Sequence, residues 1–543
     1  MENQRTLLYV AFFFTLFLLY TEWQKAYGPQ PVITQTEQSQ TSIESVDALQ
    51  KNIPAAANIP GSQNSMVPVA QEDVPTSQTV RVKTDVMDVS IDTKGGTVYQ
   101  LDLLKYQKSA DEMDKPFRLF SNNESTYHTA LSGLVSQNHP VPALNDVYRI
   151  SQSEYVLEDG QDELKVQLDW NNNGVHVAKI YTFKRDSYVI DIEHVVTANQ
   201  WSGSEYRQLV RSYQERTSTM IPTYVGGVVF NDEIKYEKLD FDDIADQSFK
   251  TNMQGGWIAM IEHYFLSAWV PDQKQTNFTY TKHPSDNRYT LGMLSPALTA
   301  TTETSANFKS QLVVGPKLQD RLEEIAPGLE LTVDYGVLTI LSKPLFWLLK
   351  FYHSIFENWG WAIIFLTITV KLIFYKLSEV GYRSMARMRK VTPRLQQLKE
   401  RHGDDRQRMS QEMMKLYKEE KINPLGGCFP ILIQIPVFIA LYWVLLESVE
   451  MRNAPFALWI QNLSEQDPYY ILPILMGATM YIQQKLNPAP VDPVQQKVFQ
   501  FMPIVFTVFF LFFPAGLVLY WVVNNTLSIA QQWVITKRIE AAN

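Results

Sequence analysis

The chain has 543 residues, of which 45% are hydrophobic, and it carries 48 Lys and Arg against 57 Asp and Glu. The resulting net charge of −9 argues against a general nucleic-acid-binding protein, for which a basic surface is expected. The single cysteine, Cys428, excludes an intrachain disulfide and any paired-cysteine metal or redox motif. The apolar residues are concentrated in the first 23 positions and after Trp359, which indicates a membrane protein with a large aqueous domain.

An unbroken apolar run from Leu7 to Tyr20 follows Arg5 at the N-terminus. A spanning helix needs about 17–25 residues, and Trp23 supplies an aromatic anchor at the far end. The run lacks the small-residue cleavage site of a secretory signal. We therefore expect an uncleaved anchor over residues 1–27 with a cytoplasmic N-terminus, the alternative being a removed signal peptide. Residues 28–78 contain no aromatic residue and are rich in Gln, Ser, Thr, Pro and Ala, which predicts a flexible periplasmic linker.

From Thr79 onward the sequence alternates between apolar and polar residues, the period of a β-strand. Turn signals recur between the apolar runs, for example Asn171-Asn172-Asn173-Gly174. The strands expected around these turns include residues 164–170, 175–183 and 188–196. Many short strands over about 240 residues predict an all-β periplasmic sandwich spanning residues 79–334, closed by a helix at 318–325.

An acidic segment in this domain raises the alternative of an enzyme acting on a sugar. It contains Asp240, Asp242, Asp243 and Asp246, whose carboxylates could perform acid–base chemistry. The zinc-protease and serine-hydrolase motifs and clustered histidines are missing from the sequence. We therefore expect solvated loop aspartates, and we expect the chain not to be an enzyme and to need no cofactor or metal.

The C-terminal third contains five further apolar segments. The second span is expected at residues 358–378, and residues 425–543 are expected to hold four more, at about 425–446, 469–486, 498–513 and 515–535. Counted from a cytoplasmic N-terminus, six spans place the C-terminus in the cytoplasm. The loop at 379–424 has 12 Lys and Arg against 7 Asp and Glu, whereas the loop at 447–468 has one Arg and four acidic residues. The positive-inside rule therefore gives the same orientation as the span count.

Two polar segments flank the second span. Residues 335–357 mix apolar residues with Lys343, Lys350 and His353, which predicts an amphipathic helix in the outer interface; a simple linker is the alternative. The basic loop at 379–424 is helical in pattern on both sides of residues 402–405, which predicts a cytoplasmic helical hairpin. Its expected seam pairs Met385, Met388, Leu395 and Leu398 with Met409, Met413, Leu416 and Tyr417.

Polar residues inside the spans predict a hydrated cavity. Thr367, Lys371, Tyr375 and Ser378 follow helical spacing, and the other spans supply Gln434, Thr479, Gln483, Asn524, Ser528 and Gln531. Interhelical hydrogen bonding is the alternative for the neutral residues, but it explains Lys371 poorly. No acidic residue lies centrally in a span, which argues against a proton- or sodium-coupled transporter. A phosphate-binding loop is missing, so we expect no nucleotide hydrolysis.

Seven stretches carry a resemblance to a known family. They are Met1–Arg5, Ile91–Gly96, Gly255–Met260, Tyr382–Met388, Asn423–Pro430, Ala454–Ile460 and Phe513–Tyr520, with the sequences MENQR, IDTKGG, GGWIAM, YRSMARM, NPLGGCFP, APFALWI and FPAGLVLY. The chain resembles, over essentially its whole length, the YidC family of bacterial membrane-protein insertases of the long Gram-negative type. The resemblance implies an inner-membrane insertase and folding chaperone for nascent membrane proteins, acting alone or with the Sec translocon.

The resemblance also implies a substrate groove that is positively charged and open to cytoplasm and lipid. Its arginine falls on Lys371, a departure that keeps the charge but loses the planar guanidinium. The groove residues next to that arginine correspond to Thr367 and Gln434. The residues of the groove's substrate-contacting slide correspond to Ile435, Phe438, Phe506, Phe509 and Trp521. The polar stripe described above adds Asn524. Lys376 stands where the family usually has proline. The sequence ends without the long basic tail of some relatives, so contact with the ribosome or targeting machinery is expected to be weak, whereas membrane lipids are expected partners.

Two other classes of function remain as alternatives from the residues alone. A small-solute channel or lipid flippase would conduct or scramble in liposomes that contain only this protein. A membrane-anchored carbohydrate-binding protein would lose its function when the β domain is deleted.

Overall fold

The computed structural model describes residues 77–108, 112, 114–213, 223–285, 287–402, 405–420, 429–487 and 493–541. The predicted anchor, nearly all of the predicted linker, Cys428 and the tip of the predicted hairpin lie outside these residues. The chain divides into two compact units at residues 333 and 334. The β unit is described from residue 77 to 333 and the helical unit from residue 334 to 541.

The β unit consists almost entirely of strands. In chain order, β1 to β20 are Thr79–Lys83, Met87–Asp92, Thr97–Gln107, Pro116–Phe120, His128–Val135, Arg149–Ile150, Glu154–Val156, Glu163–Asn172, Val175–Lys184, Val189–Thr197, Gln200–Arg211, Gly226–Asn231, Lys235–Leu239, Lys250–Gln254, Trp257–Ile261, Phe265–Pro271, Thr276–Ser285, Arg288–Leu294, Leu298–Thr301 and Ala306–Pro316. Helix α1 is Phe241–Asp246 and helix α2 is Gln319–Ile325. The expected closing helix is present. The acidic segment is solvent-exposed as expected, but the expectation of a loop is wrong, because Asp242, Asp243 and Asp246 lie in helix α1.

These strands form two sheets that pack as a sandwich. One sheet has eleven strands, with β14-β17-β18-β11-β5-β3-β2-β1-β7 as its main order, and the other has nine, in the order β13-β12-β15-β16-β20-β10-β9-β8-β6. Strands β8 and β9 form a hairpin in register from Glu163 opposite Lys184 to Asn172 opposite Val175. Its two turn residues, Asn173 and Gly174, have φ of 47° and 78°, the left-handed conformation that a type I′ turn requires. The β-sandwich expected from the alternating pattern is confirmed.

A charged cluster lies between the two sheets, where apolar packing is the usual arrangement. Glu205 and Arg207 on β11 and His194 on β10 are fully buried. Nδ1 of His194 lies 2.9 Å from Oε1 of Glu205, and the Arg207 guanidinium contacts the other carboxylate oxygen. Burial alone would raise the pKa of Glu205, but Arg207 and His194 outweigh burial and hold that pKa below its ordinary value. The carboxylate is therefore ionised at neutral pH.

Glu205→Gln is expected to destabilise the β unit by about 3–5 kcal/mol at neutral pH, because it leaves Arg207 buried without its counter-charge. Since the folded-state pKa of Glu205 is depressed, its contribution to stability is present above the unfolded-state pKa of about 4.5 and is lost as the pH falls from there through the folded-state pKa. The measurement is the temperature at which the β unit becomes protease-sensitive in the intact chain. The exposed Glu163→Gln is the control, expected to change stability by at most about 0.5 kcal/mol. Equal effects from both variants would contradict the prediction.

The helical unit contains helices α3 to α10 in its described residues. They are Thr339–Phe356, Trp359–Ile373, Tyr375–His402, Arg406–Glu419, Phe429–Glu447, Ile471–Leu486, Pro493–Phe510 and Ala515–Ala541. Helix α3 coincides with the predicted amphipathic segment. It buries Ser342, Phe346 and Leu349, whereas Ile340 and Trp347 are 85% and 68% exposed.

The helix expected over the second predicted span, residues 358–378, is interrupted. Helix α4 ends at Ile373, and α5 begins at Tyr375 with a bend of 69° between them. The prediction of a single helix face from Thr367 to Ser378 is therefore wrong, because Tyr375 and Ser378 belong to α5. The bend falls where the apolar sequence gives way to charged residues, of which Lys376 and Glu379 are the first.

Helices α5 and α6 pack side by side as a hairpin. Val391, Leu395 and Leu416 form its buried core, against which Met388, Leu398, Met413 and Tyr417 pack. Three residues predicted on each side of the seam therefore meet, while Val391 was not predicted and Met385 and Met409 do not belong to this core. Arg394 and Glu420 form an ion pair of 2.6 Å on the hairpin surface.

In the described residues, no single helix is both long and apolar enough to cross a membrane unaided. Trp359–Ile373 and Tyr375–Leu398 pass the criteria of length and composition together, as a bent pair.

Candidate substrate-binding groove

Three helices of the helical unit converge on the ammonium group of Lys371. Nζ of Lys371, in the last turn of α4, donates to Oε1 of Gln434 on α7 at 3.3 Å. It also donates to Oγ of Ser528 on α10 at 2.8 Å. The predicted residues Lys371 and Gln434 are therefore in direct contact, and Ser528 completes the contact from a third helix.

Asn524 connects these polar residues into a network. Gln434 donates through Nε2 to Oδ1 of Asn524, and the Ser528 hydroxyl donates to the Asn524 carbonyl at 2.7 Å. Asn524 and Ser528 are buried, whereas Lys371 and Gln434 are half-buried. Among the described residues, the ion pairs of 4 Å or less include none that involves Lys371. Neutral oxygens of Gln434 and Ser528 thus accept from this cation.

Thr367 lies one turn before Lys371 on α4 and is buried. Its hydroxyl donates to the carbonyl of Ile363 at 2.6 Å, a bond within its own helix. The structure therefore places Thr367 beside the network, with its hydroxyl proton already used.

The predicted slide residues form a linked aromatic cluster. Phe438 stacks on Trp521 with ring centroids 4.4 Å apart. Phe510 lies 5.8 Å from Trp521, 6.2 Å from Phe506 and 5.6 Å from Phe509, so it joins residues of α9 to α10. The cluster is thus continuous from α7 through α10 to α9.

Part of this apolar region is exposed. Ile435, one residue after Gln434, is 44% exposed, and Phe509 is 47% exposed. In the part of the chain that the structure describes, the arrangement therefore places a cation without a carboxylate partner beside exposed apolar surface.

Comparison with known proteins covers the whole chain. The family described as "60Kd inner membrane protein" matches residues 351–542, and the "YidC periplasmic domain" matches residues 79–348. The chain is 50% identical over 558 residues to the membrane protein insertase YidC of Thioalkalivibrio sulfidiphilus, covering 100% of this chain and 99% of that protein. The chain belongs to the YidC family of membrane protein insertases. The YidC of Methylococcus capsulatus is 49% identical over 550 residues and 99% of each chain.

A solved structure described as an active YidC insertase with its first transmembrane domain resolved also matches. It is 17% identical, covers 84% of this chain and 92% of that chain, and has a TM-score of 0.40, at which it adds nothing to the sequence relationship. Membership of the YidC family establishes a bacterial inner-membrane protein with a periplasmic domain and membrane protein insertase function. Its substrates are accordingly nascent membrane proteins.

Ser528 and Phe510 belong to this candidate site but were not among the groove residues predicted from sequence. Ser528 follows Asn524 by one helical turn, and that spacing placed it in the polar stripe without showing that it contacts Lys371. Phe510 follows Phe506 by the same spacing, but an apolar helix such as α9 gives no signal for which phenylalanine links it to a neighbour. No group of three or more His, Cys, Asp or Glu within the described part of the chain could hold a metal ion.

Proposed function

We propose that this chain inserts nascent membrane proteins through a hydrated, positively charged groove centred on Lys371. The observation that supports the proposal best is that the Lys371 ammonium contacts only neutral acceptors, Gln434 and Ser528, in the described part of an inner-membrane protein. An ion pair to a fixed carboxylate would cancel the charge, whereas hydroxyl and amide oxygens leave it able to attract a substrate. The aromatic cluster of Phe438, Phe506, Phe509 and Trp521, with Ile435, supplies the apolar path from the groove into lipid.

The proposed topology has six spans, with both termini and the α5–α6 hairpin in the cytoplasm and the β unit in the periplasm. The excess of Lys and Arg at residues 379–424 and the acidic excess at 447–468 support this orientation. In the same proposal, residues 1–27 anchor the chain, 28–78 tether the β unit, and α3 lies in the outer interface.

The proposal includes cooperation with the Sec translocon, a chaperone role in folding inserted proteins, and contacts with lipid and, weakly, with the ribosome or targeting machinery. Depletion of the protein followed by quantification of newly made membrane proteins tests the insertase function. We expect a subset of inner-membrane proteins to fail to insert. Proteins that depend on this chain alone should still insert in cells whose Sec translocon is blocked. If depletion of this chain instead abolished only lipid scrambling or solute conductance, and left insertion intact, the flippase or channel alternative would be favoured.

Deletion of residues 79–316, with both flanks retained, is expected to leave most insertion activity intact. The physical reason is that every proposed groove residue lies in the helical unit, which has its own packed core. The measurement is protease protection of a single-span substrate in vesicles, and the same deletion combined with Lys371→Ala is the control. Loss of insertion at normal protein levels would contradict this prediction and show that insertion needs the β unit.

A further inference from the structure

In a tight turn between α7 and α8, a leucine combines a positive φ angle with an exposed side chain. The turn runs from Ala457 to Ile460, closed by the Ile460 amide donating to the Ala457 carbonyl at 3.1 Å and the Phe456 amide donating to the Ile460 carbonyl at 3.0 Å. Leu458, its second residue, has φ of +57° and is 81% exposed. We refer to residues 457–460 as the outer turn.

Leu458 is unfavourable for folding in two independent ways. A positive φ forces a branched side chain into a backbone region that glycine or asparagine adopts at much lower cost. The exposed apolar side chain is also poorly placed in water. Backbone strain of this kind persists where the surroundings enforce it, and it concentrates at functional positions.

The outer turn is fixed rigidly to the start of α8 through one buried side chain. Asp467, 1% exposed, accepts from the Trp459 indole through Oδ1 at 3.0 Å and from the Leu472 amide through Oδ2 at 2.7 Å. Tyr470, which directly precedes α8, also has φ of +57° and is 46% exposed. The turn and the first turn of α8 therefore form one rigid element.

The exposed apolar surface of this element continues along α8. Tyr469 is 66% exposed, and the helix then presents Ile474 and Leu475, which are 59% and 46% exposed. In an inner-membrane protein, an exposed apolar face on an apolar helix is a lipid-facing surface. Tyrosine and tryptophan at the end of such a helix suit the level of the head groups, because they combine an apolar ring with a polar tip. The hydrogen bonds of Asp467 to Trp459 and Leu472 join the outer turn to the start of this helix, which favours lipid, rather than a protein, as the occupant of the outer turn.

We propose that the outer turn is a lipid anchor, in which Leu458 enters the boundary between head groups and acyl chains of the outer leaflet. The inference rests on the proposed topology, which places residues 447–468 on the outer side. Burial of Leu458 in lipid offsets its strain. The anchor fixes the height in the bilayer of α7 and α8, and α7 carries Gln434 of the groove.

Site-directed spin labelling of the full chain in phosphatidylethanolamine–phosphatidylglycerol liposomes tests the anchor. Labels are attached to Leu458→Cys and, as a control directly after the outer turn, to the exposed polar position Gln461→Cys, both in a Cys428→Ala background. The label at 458 is expected to collide more with oxygen than with a water-soluble nickel complex, and the label at 461 is expected to show the reverse. Equal access of the nickel complex to both positions would overturn the proposal. If position 458 were protected from both reagents in native membranes but not in liposomes, the lipid anchor would be overturned in favour of a protein partner.

A second variant tests the anchor through stability, without relying on insertion. Leu458→Asn relieves the backbone strain and removes the apolar side chain, so it is expected to raise the melting temperature in detergent by about 2–4 °C. In liposomes it is expected to lose that advantage, because the lipid contact is lost, and an equal gain in both media would overturn the anchor. An impermeant maleimide that modifies Gln461→Cys only from the cytoplasmic side would overturn the topology, whichever result the insertion assays give.

Discussion

Deletion of residues 384–420, with the ends rejoined by a short Gly/Ser linker, is expected to abolish insertion while the chain still integrates into the membrane. The α5–α6 hairpin has a core of its own, formed by Val391, Leu395 and Leu416, and the deletion retains Tyr375, whose carbonyl accepts from Gln531 of α10. Its basic surface is suited to receive nascent chains or their targeting machinery. The measurement is protease protection of a substrate in vesicles, with the amount of each variant in the membrane determined in parallel.

Two further variants separate the surface of the hairpin from its fold. Joint replacement of Arg387, Arg389 and Lys390 by Gln keeps the seam and removes charge, and it is expected to reduce insertion strongly. Leu416→Ala opens the core and is expected to reduce insertion through loss of the hairpin fold, visible as proteolysis between residues 384 and 420. Insertion at the unmodified level by the deletion variant would show that the hairpin receives nothing.

Features with local causes were predictable from the sequence. The hairpin seam follows from helical spacing, which brought Leu395 and Leu416 to the same face of their helices. The β8–β9 hairpin follows from its Asn-Gly turn, because few residue pairs adopt two successive positive φ angles. Lys371 was identifiable because an isolated cation in an apolar helix is costly and rarely lacks a function.

Features that depend on distant contacts were not predictable. The partner that Ser528 provides to Lys371 depends on how α10 is rotated against α4, and helical spacing does not fix that rotation. Glu205, Arg207 and His194 follow the alternation of ordinary strands, and alternation alone does not show which face of a strand is covered by the second sheet. Their contact with one another between the two sheets was therefore not predictable. The bend after Ile373 could not be predicted from a glycine or proline, because the residues that follow, Phe374, Tyr375 and Lys376, are all compatible with a continuous helix.

Lys371→Ala is expected to impair insertion of substrates whose translocated segment carries carboxylates much more than insertion of matched neutral substrates. A carboxylate entering a low-dielectric layer meets one counter-charge there, worth about 4 kcal/mol at about 4 Å and an effective dielectric constant near 20. Because Gln434 and Ser528 are neutral, they do not compete as anions for the ammonium. In the groove that we propose, water keeps this attraction reversible, and the proposal is that the segment is then released outward while its apolar helix passes Phe438 and Phe509 into lipid.

Lys371→Arg tests whether the cation is what matters. It restores the residue usual in the family, keeps the charge and adds donors that reach the acceptors on α7 and α10, so it is expected to retain insertion of both substrates. Lys376→Ala is the matched control, because it removes an exposed lysine five residues away and is expected to leave both substrates unaffected. The measurement is protease protection of two substrates that differ only in their carboxylates. If Lys371→Ala reduced insertion of the acidic and the neutral substrate equally, charge attraction would be excluded as the role of Lys371. Hydration of the groove by the ammonium would then be the remaining explanation, because a buried cation retains water for any substrate, whatever its charge.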